Sequence, residues 1–563
     1  MSMPPFRAFR PLALAAALAA VAACASGPAP VTPAPVEVPV IARPHGETPQ
    51  WWFRAGAAEA AARGAMAARA RNVILFVGDG MSLATVTAAR ILEGQRRGEP
   101  GEENRLAWDA FPHSGFSRTY NTDSQTPDSA GTMSAMSTGI KTRQGVLAIG
   151  QQAARGRCAQ ALDAQVLTLW ELAEAAGLAT GVVTTTRLTH ATPAATFAHA
   201  PERYWENDTE LPAEAKAAGC VDIARQFVES PYGDGPDVLM AGGRRNFMPA
   251  SQPDPEHPAL RGDRGDGRDL IAEWQRRGGT FVWNARQLAQ APLDAPLLAL
   301  FEHNHMQFEH DRPRDVAGEP SLAEMTRAAI ARLSRDPDGY VLLVEGGRID
   351  HGHHDGNAYR ALTDTIALSD AVRAAVETTS AQDTLILVTA DHAHTLSFAG
   401  YPVRGNPILG LVRGTAREDD DNADYARDLL GLPYTTLSYA NGPGYPGASD
   451  SQPEGPKRLP HAPRTVRPAH GRPDLTRVDT TDPDYLQEAT VPTGDETHGG
   501  DDVGIWARGP GSEAVRGSFE QNAIFHLLLQ ATPRLRQALC AKGGCTRDGV
   551  PVTLPDPAAF RAR

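Results

Sequence analysis

Six short apolar runs limit what this chain can fold into: 72–77, 179–185, 237–240, 340–344, 384–388 and 503–506. They are rich in Val, Ile and Leu and alternate little, which is the pattern of strands covered on both faces. Helical patterns lie between them. The runs therefore predict an α/β fold, a three-layer α/β/α sandwich around a mostly parallel sheet. Three of the runs lead into a carboxylate: Val77 into Gly78-Asp79-Gly80, Val344 into Glu345-Gly346-Gly347, and Val388 into Thr389-Ala390-Asp391-His392. Open α/β sheets place ligands beyond the carboxyl ends of their strands, so three acids at three such ends predict one site.

Composition narrows the class further. The chain has 563 residues, 41% of them hydrophobic, enough to bury a large core. Its 54 Lys+Arg against 67 Asp+Glu leave a net charge of −13, which argues against a nucleic-acid-binding surface. After residue 25 no apolar stretch is long enough to cross a bilayer.

The first residues read as a targeting segment. Arg7 and Arg10 precede an apolar run from Pro11 to Ala23, and Val21-Ala22-Ala23-Cys24 is similar to a lipobox with Cys24 as the lipidated residue. The alternative is ordinary signal cleavage after Ala25, leaving a soluble periplasmic protein. Either route exports the chain, and the lipobox predicts an outer-membrane lipoprotein facing the periplasm or cell surface. Residues 1–24 are then the signal peptide, and 25–49 a Pro-rich spacer. The main domain is expected over 50–545, followed by a C-terminal tail at 546–563. Within the domain the strand–helix pattern lapses at about 401–491, a stretch holding Glu418-Asp419-Asp420-Asp421 and Gly442-Pro443-Gly444-Tyr445-Pro446. It is too long for a structureless loop and reads as an insertion.

Export makes the cysteines informative. Beyond Cys24 there are four, which allow three pairings. A local Cys540–Cys545 bridge leaves Cys158–Cys220 as the second. A zinc site is the rival use, but no paired CxxC spacing supports it.

The chemistry concentrates in a few motifs. In Asp350-His351-Gly352-His353-His354, Asp350 and His354 stand four apart and share a helix face, where they can grip one metal. Asp391, His392, Asp79 and His498 supply enough further O and N ligands for more than one ion. Each alone has a plain alternative as a turn or loop residue. In Thr126-Pro127-Asp128-Ser129-Ala130-Gly131 a helix is expected to begin near Ser129, where N–H groups and the helix dipole favour an anion. A serine oxygen there can attack phosphorus. The plain alternative is an N-cap sequence.

Taken in order from about Trp51 to Cys545, these motifs resemble the alkaline phosphatase family, and its animal-type pattern more than the enterobacterial one. The resemblance implies hydrolysis of phosphate monoesters, with broad specificity, by a metal-dependent enzyme. Ser129 would be the phosphorylated nucleophile, Arg203 the phosphate clamp and Asp128 its orienting partner. One zinc would lie on Asp350, His354 and His498, and a second on Asp79, Asp391 and His392. A magnesium would lie on Asp79, Thr192 and Glu345. His190 and His351 are histidines in the animal-type pattern and would stand just outside the metals and the phosphate. A calcium site is implied at Glu256, the Phe301 carbonyl, Glu302 and Glu319, with Glu319 where the family has aspartate; a surface acidic cluster is the plain reading. The 401–491 insertion corresponds to the family's crown, a dimer-associated region, so a homodimer is expected, with the membrane reached only through the lipid anchor. Two rivals remain: a phosphodiesterase or sulfatase of the same superfamily, and a non-catalytic lipoprotein that binds phosphate or a partner.

Overall fold

The computed structural model describes residues 37–42, 44–414 and 425–562. It divides into residues 1–37, of which only Glu37 is described, and residues 38–563. The expected targeting segment with Cys24, residues 25–36 and 43 of the Pro-rich spacer, and the 418–421 acidic run lie outside the described residues.

Ten strands build one sheet: β1 (Asn72–Gly78), β2 (His113–Arg118), β3 (Ala179–Arg187), β4 (Val238–Gly242), β5 (Thr280–Val282), β6 (Leu297–Leu300), β7 (Tyr340–Gly346), β8 (Thr384–Ala390), β9 (Val503–Arg508) and β10 (Gly517–Glu520). Their order is β10-β2-β9-β8-β1-β7-β3-β4-β6-β5. Every pairing is parallel except those of β9, which runs antiparallel to both β8 and β2. The lack of alternation follows from burial on both faces. Val73, Leu75 and Val77 of β1 enter one core, Ile74 and Phe76 the other.

The helices fill the two outer layers. On the first face lie α1 (Pro49–Ala62), α3 (Ser129–Thr138) and α7 (Ala523–Ala531); on the second lie α4 (Leu322–Leu333) and α6 (Ala358–Thr378). Between α1 and α3 comes α2 (Leu83–Arg96), and between α4 and α6 the short α5 (Arg348–His354). Local chemistry sets their ends. A Ser321/Glu324 capping box starts α4. Asp128 caps α3, which stops at Gly139 in the left-handed region.

The described residues between 396 and 492 carry little regular structure. A three-stranded sheet (Leu396–Phe398, Leu437–Gly442, Ala489–Pro492) and a two-stranded one (Lys457–Arg458, Tyr485–Leu486) are its main elements. Leu437, Tyr439 and Ala489 pack it on Ala88 and Ile91 of α2 and Leu362 of α6. Residues 546–562 return to the body, where Phe560 joins the first core and Ala562 N–H donates to Pro231 O at 2.7 Å. Cys158–Cys220 and Cys540–Cys545 are both bridged. Among the described residues no helix is long and apolar enough to cross a membrane.

Candidate metal and phosphoryl-transfer site

Sheet register gathers the first ligands. Gly78 of β1 stands level with Gly346 of β7 and Ala390 of β8, so Asp79, Glu345 and Asp391 fall within two residues of one another along the sheet edge. All three are fully buried. Burial first, and then the neighbouring carboxylates of Asp391, Asp350 and Glu345, push Asp79 well above the ordinary carboxylate range. Burial likewise pushes Glu345 up to about 7, although the Thr184 and Thr186 hydroxyls donate to it. Asp391 Oδ1 accepts from Gly80 N at 3.0 Å and His392 N at 2.8 Å, while Thr132 Oγ1 donates to its Oδ2 at 3.3 Å. Thr192 is also fully buried, on the short helix Ala191–Ala194 that follows β3.

A second cluster forms around Asp350. Its Oδ1 lies 2.7 Å from His394 Nε2, 3.3 Å from His354 Nε2 and 3.4 Å from His498 Nε2. Burial alone would raise this carboxyl, but the three imidazoles hold it well below the usual range. His354 Nδ1 faces the Glu496 carbonyl at 2.5 Å and His498 Nδ1 the Pro127 carbonyl at 2.7 Å. With each Nδ1 committed to a carbonyl, the two Nε2 atoms lie 3.1 Å apart and both face Asp350 Oδ1. Two imidazole nitrogens and a carboxylate oxygen gathered this closely are a donor set that suits a cation. His392 stacks on His498 with ring centroids 3.6 Å apart, linking this cluster to Asp79 and Asp391.

Ser129 stands at the junction. It is the first residue of α3, and its Oγ lies 3.2 Å from His392 Nε2 and 3.4 Å from Asp79 Oδ1. The Asp128 carboxylate accepts from Gly131 N at 3.1 Å and Gly145 N at 3.0 Å, fixing the turn ahead of the helix. Gly131 is required there, because a Cβ would stand 2.4 Å from Asn121 Nδ2. Arg203 reaches across with Nη1 donating to Asp128 Oδ2 at 3.2 Å and Nη2 donating to His190 Nε2 at 3.1 Å. His351 accepts from Arg348 Nη1 on Nδ1 at 2.8 Å, and its ring lies 5.5 Å from His190.

Comparison with known proteins settles the family. Residues 70–533 match the family model described as alkaline phosphatase. This chain is a member of the alkaline phosphatase family. It is 42% identical over 472 residues to the alkaline phosphatase of Gadus morhua, covering 82% of this chain and 92% of that one. To the human tissue-nonspecific isozyme it is 40% identical over 472 residues, covering 82% and 83%. Among solved structures, Thermus thermophilus alkaline phosphatase superposes with TM-score 0.57 at 26% identity, over 83% of this chain and 92% of that one. The enzyme from the Antarctic bacterium TAB5 superposes with TM-score 0.52 at 21% identity, over 83% and 98%, and shares the fold. Membership makes the chain a metal-dependent phosphomonoesterase.

The alkaline phosphatase cluster fits metal ions on its own chemistry. Asp79 Oδ2 and Glu345 Oε1 are buried without a hydrogen-bond partner. Asp79, Asp391 and His392 converge within metal-ligand reach, as do Asp79, His190 and Glu345. The structure also adds residues that the motifs did not flag. His394 sits in the group with Asp350, His392 and His498, and Glu496 in a group with His354 and His394. His305 packs on His351 with ring centroids 4.3 Å apart and on His190 at 5.3 Å. The residues considered for calcium do approach one another. Gln307 donates to Glu302 and Glu319, while Arg244 donates to Glu256 at 2.8 Å. Burial, with Glu302, Asp315 and Glu256 nearby, pushes Glu319 up to about 8.

Proposed function

We propose that this phosphomonoesterase works through a covalent phosphoserine at Ser129, with two zinc ions and one magnesium ion. The observation that carries the reading is the position of Ser129 Oγ. It starts a helix, is buried, and faces His392 Nε2 and Asp79 Oδ1 within 3.4 Å. Asp350, His354 and His498 would hold one zinc, and Asp79, Asp391 and His392 the other. Asp79, Thr192 and Glu345 would hold the magnesium, with His190 at its margin. When bound, these ions supply positive charge that stabilises the oxyanions of attack and departure.

The chain's own residues do the rest. Each Nη of Arg203 keeps a second N–H beyond those given to Asp128 and His190, so its planar fork is oriented before a phosphoryl group arrives. Backbone N–H groups at the start of α3 favour the same anion. Ser129 Oγ bonds to phosphorus as the ester P–O bond breaks and the alcohol departs. Water then attacks phosphorus, the Ser129 O–P bond breaks, and phosphate leaves. Binding energy concentrated on the phosphoryl group supports broad specificity.

Acid quenching of enzyme turning over a monoester should trap phosphate on the peptide containing Ser129. Trapping the same adduct in Ser129→Ala would refute the assignment. Metal analysis of the purified protein checks the ion content. The lipobox-like 21–24 segment supports an anchor at Cys24, and Cys24→Ser should then release the protein from membranes. Exposed Tyr401, Leu429 and Leu430 in the 401–491 region support a homodimer joined there, which sedimentation would detect.

A further inference from the structure

Tyr204 is an exposed aromatic beside the phosphate clamp, and the fold does not need it there. Its neighbour Trp205 is 5% exposed and anchors the turn in a small core with Cys158 and Leu211, whereas Tyr204 is 60% exposed. The Tyr204 ring centroid lies 5.7 Å from the Arg203 guanidinium carbon and 5.7 Å from that of Arg155. Both distances are within cation–π range. The turn is braced on each side. Arg155 makes two hydrogen bonds to Glu202, both 2.8 Å, and Glu202 accepts from Tyr204 N at 3.2 Å. Gly145 receives Arg203 N on its carbonyl at 2.9 Å and gives its own N–H to Asp128. With φ +78, Gly145 also leaves the space that the Arg155 guanidinium fills, since a Cβ would stand 2.3 Å from it. The ring is thus an open apolar face held in place next to Arg203.

We infer that Tyr204 is a stacking platform for the leaving group, and that it favours phosphate monoesters whose leaving group carries a planar aromatic ring. The inference rests on Arg203 holding the phosphoryl group. A phosphoryl clamped by Arg203 sits on the same guanidinium that the Tyr204 ring flanks at 5.7 Å, so a substituent that extends past the clamp can reach the ring. A planar substituent gains offset-stacked contact there, and a small alkyl group gains none. The ring already lies against two guanidinium groups, so little side-chain freedom is lost when a ligand stacks.

Phosphonates test this directly, because their P–C bond is not the ester bond the enzyme cleaves and they report binding alone. The measurement is the competitive inhibition constant of phenylphosphonate relative to methylphosphonate. Tyr204→Ala should cut the preference for the phenyl compound about 3- to 10-fold, and Tyr204→Phe should keep it. KM for adenosine 5′-monophosphate against ribose 5-phosphate repeats the comparison with the ring one ribose further out. A loss of preference in either pair supports the platform and says how far out the ring must sit. Unchanged preference in both pairs overturns it, as does a loss in Tyr204→Phe equal to that in Tyr204→Ala. Arg203→Ala should weaken both phosphonates. If it weakens neither, the clamp reading fails, and the inference fails with its premise rather than through the ring.

Discussion

His354 and His498 meet through their Nε2 atoms, 3.1 Å apart, while the Nδ1 of each faces a backbone carbonyl. Neither imidazole can turn away without stranding that carbonyl. A metal ion held there would turn this close approach into two ligand bonds. Stripping the metals should therefore destabilise the fold as well as abolish turnover. At metal a hundredfold above its dissociation constant, each ion lost removes about 2.7 kcal/mol. Thermal unfolding with and without a chelator measures it, and an unchanged midpoint would contradict a structural share for the metals.

His394 should control how tightly the site holds metal. It lies between Asp350, at 2.7 Å, and the buried Glu496, which also takes Thr395 N at 2.7 Å. A carboxylate–imidazole–carboxylate chain of this kind orients Asp350. His394→Ala or Glu496→Gln should lower metal affinity about 10- to 100-fold. Competition against a chromophoric chelator reads this without any assay of turnover.

Arg203→Ala should cost about 2–4 kcal/mol of transition-state stabilisation for monoesters, roughly 30- to 900-fold in kcat/KM. A diester carries one charge fewer and fits the fork poorly, so its hydrolysis should fall less. The check is kcat/KM for an aryl monoester and the matching diester in both proteins. Equal falls would mean that Arg203 does not select monoesters.

Lys141 gives a pH signature. It is 1% exposed, and its Nζ donates to the carbonyls of Arg118 at 2.9 Å and Tyr120 at 3.0 Å and pairs with Glu520 at 2.9 Å. Burial pulls its pKa down to about 8 despite the pair with Glu520. Between about pH 8 and 10.5 the unfolded chain binds more protons than the folded one, so this residue's contribution to stability rises with pH, by up to about 3 kcal/mol. Below pH 8 both states are protonated and the contribution is flat. Denaturant unfolding from pH 7 to 10 should show the rise in wild type and lose it in Lys141→Met. Parallel slopes in the two proteins would disprove it.

The central strands were legible because burial on both faces leaves an unbroken apolar run, as in Val73 to Val77 of β1. The strands that escaped were polar or brief. His113–Arg118 alternates exposed with half-buried residues, only Ser117 being buried, and β10 offers only Gly517–Glu520. That β9 runs antiparallel is set by its partners β8 and β2, which no single-strand pattern encodes. The carboxylates that converge on one sheet edge were readable because Asp79, Glu345 and Asp391 lie at strand ends and Asp350 in the first turn of a helix. His394, Glu496 and His305 were not, since their roles depend on which neighbour the fold supplies. His394 became significant only when Asp350 arrived from another strand end, and His305 only beside His351.

The hydrogen bond from His498 to the Pro127 carbonyl closes a span of 371 residues, next to the serine that begins α3. Nearly the whole polypeptide must be present before that contact exists. A nascent chain emerging from the ribosome or an export channel could display Asp79, Ser129 and even Asp391 while still lacking its last imidazole. A chain that ends before His498 cannot make the contact that sets this imidazole beside the start of α3.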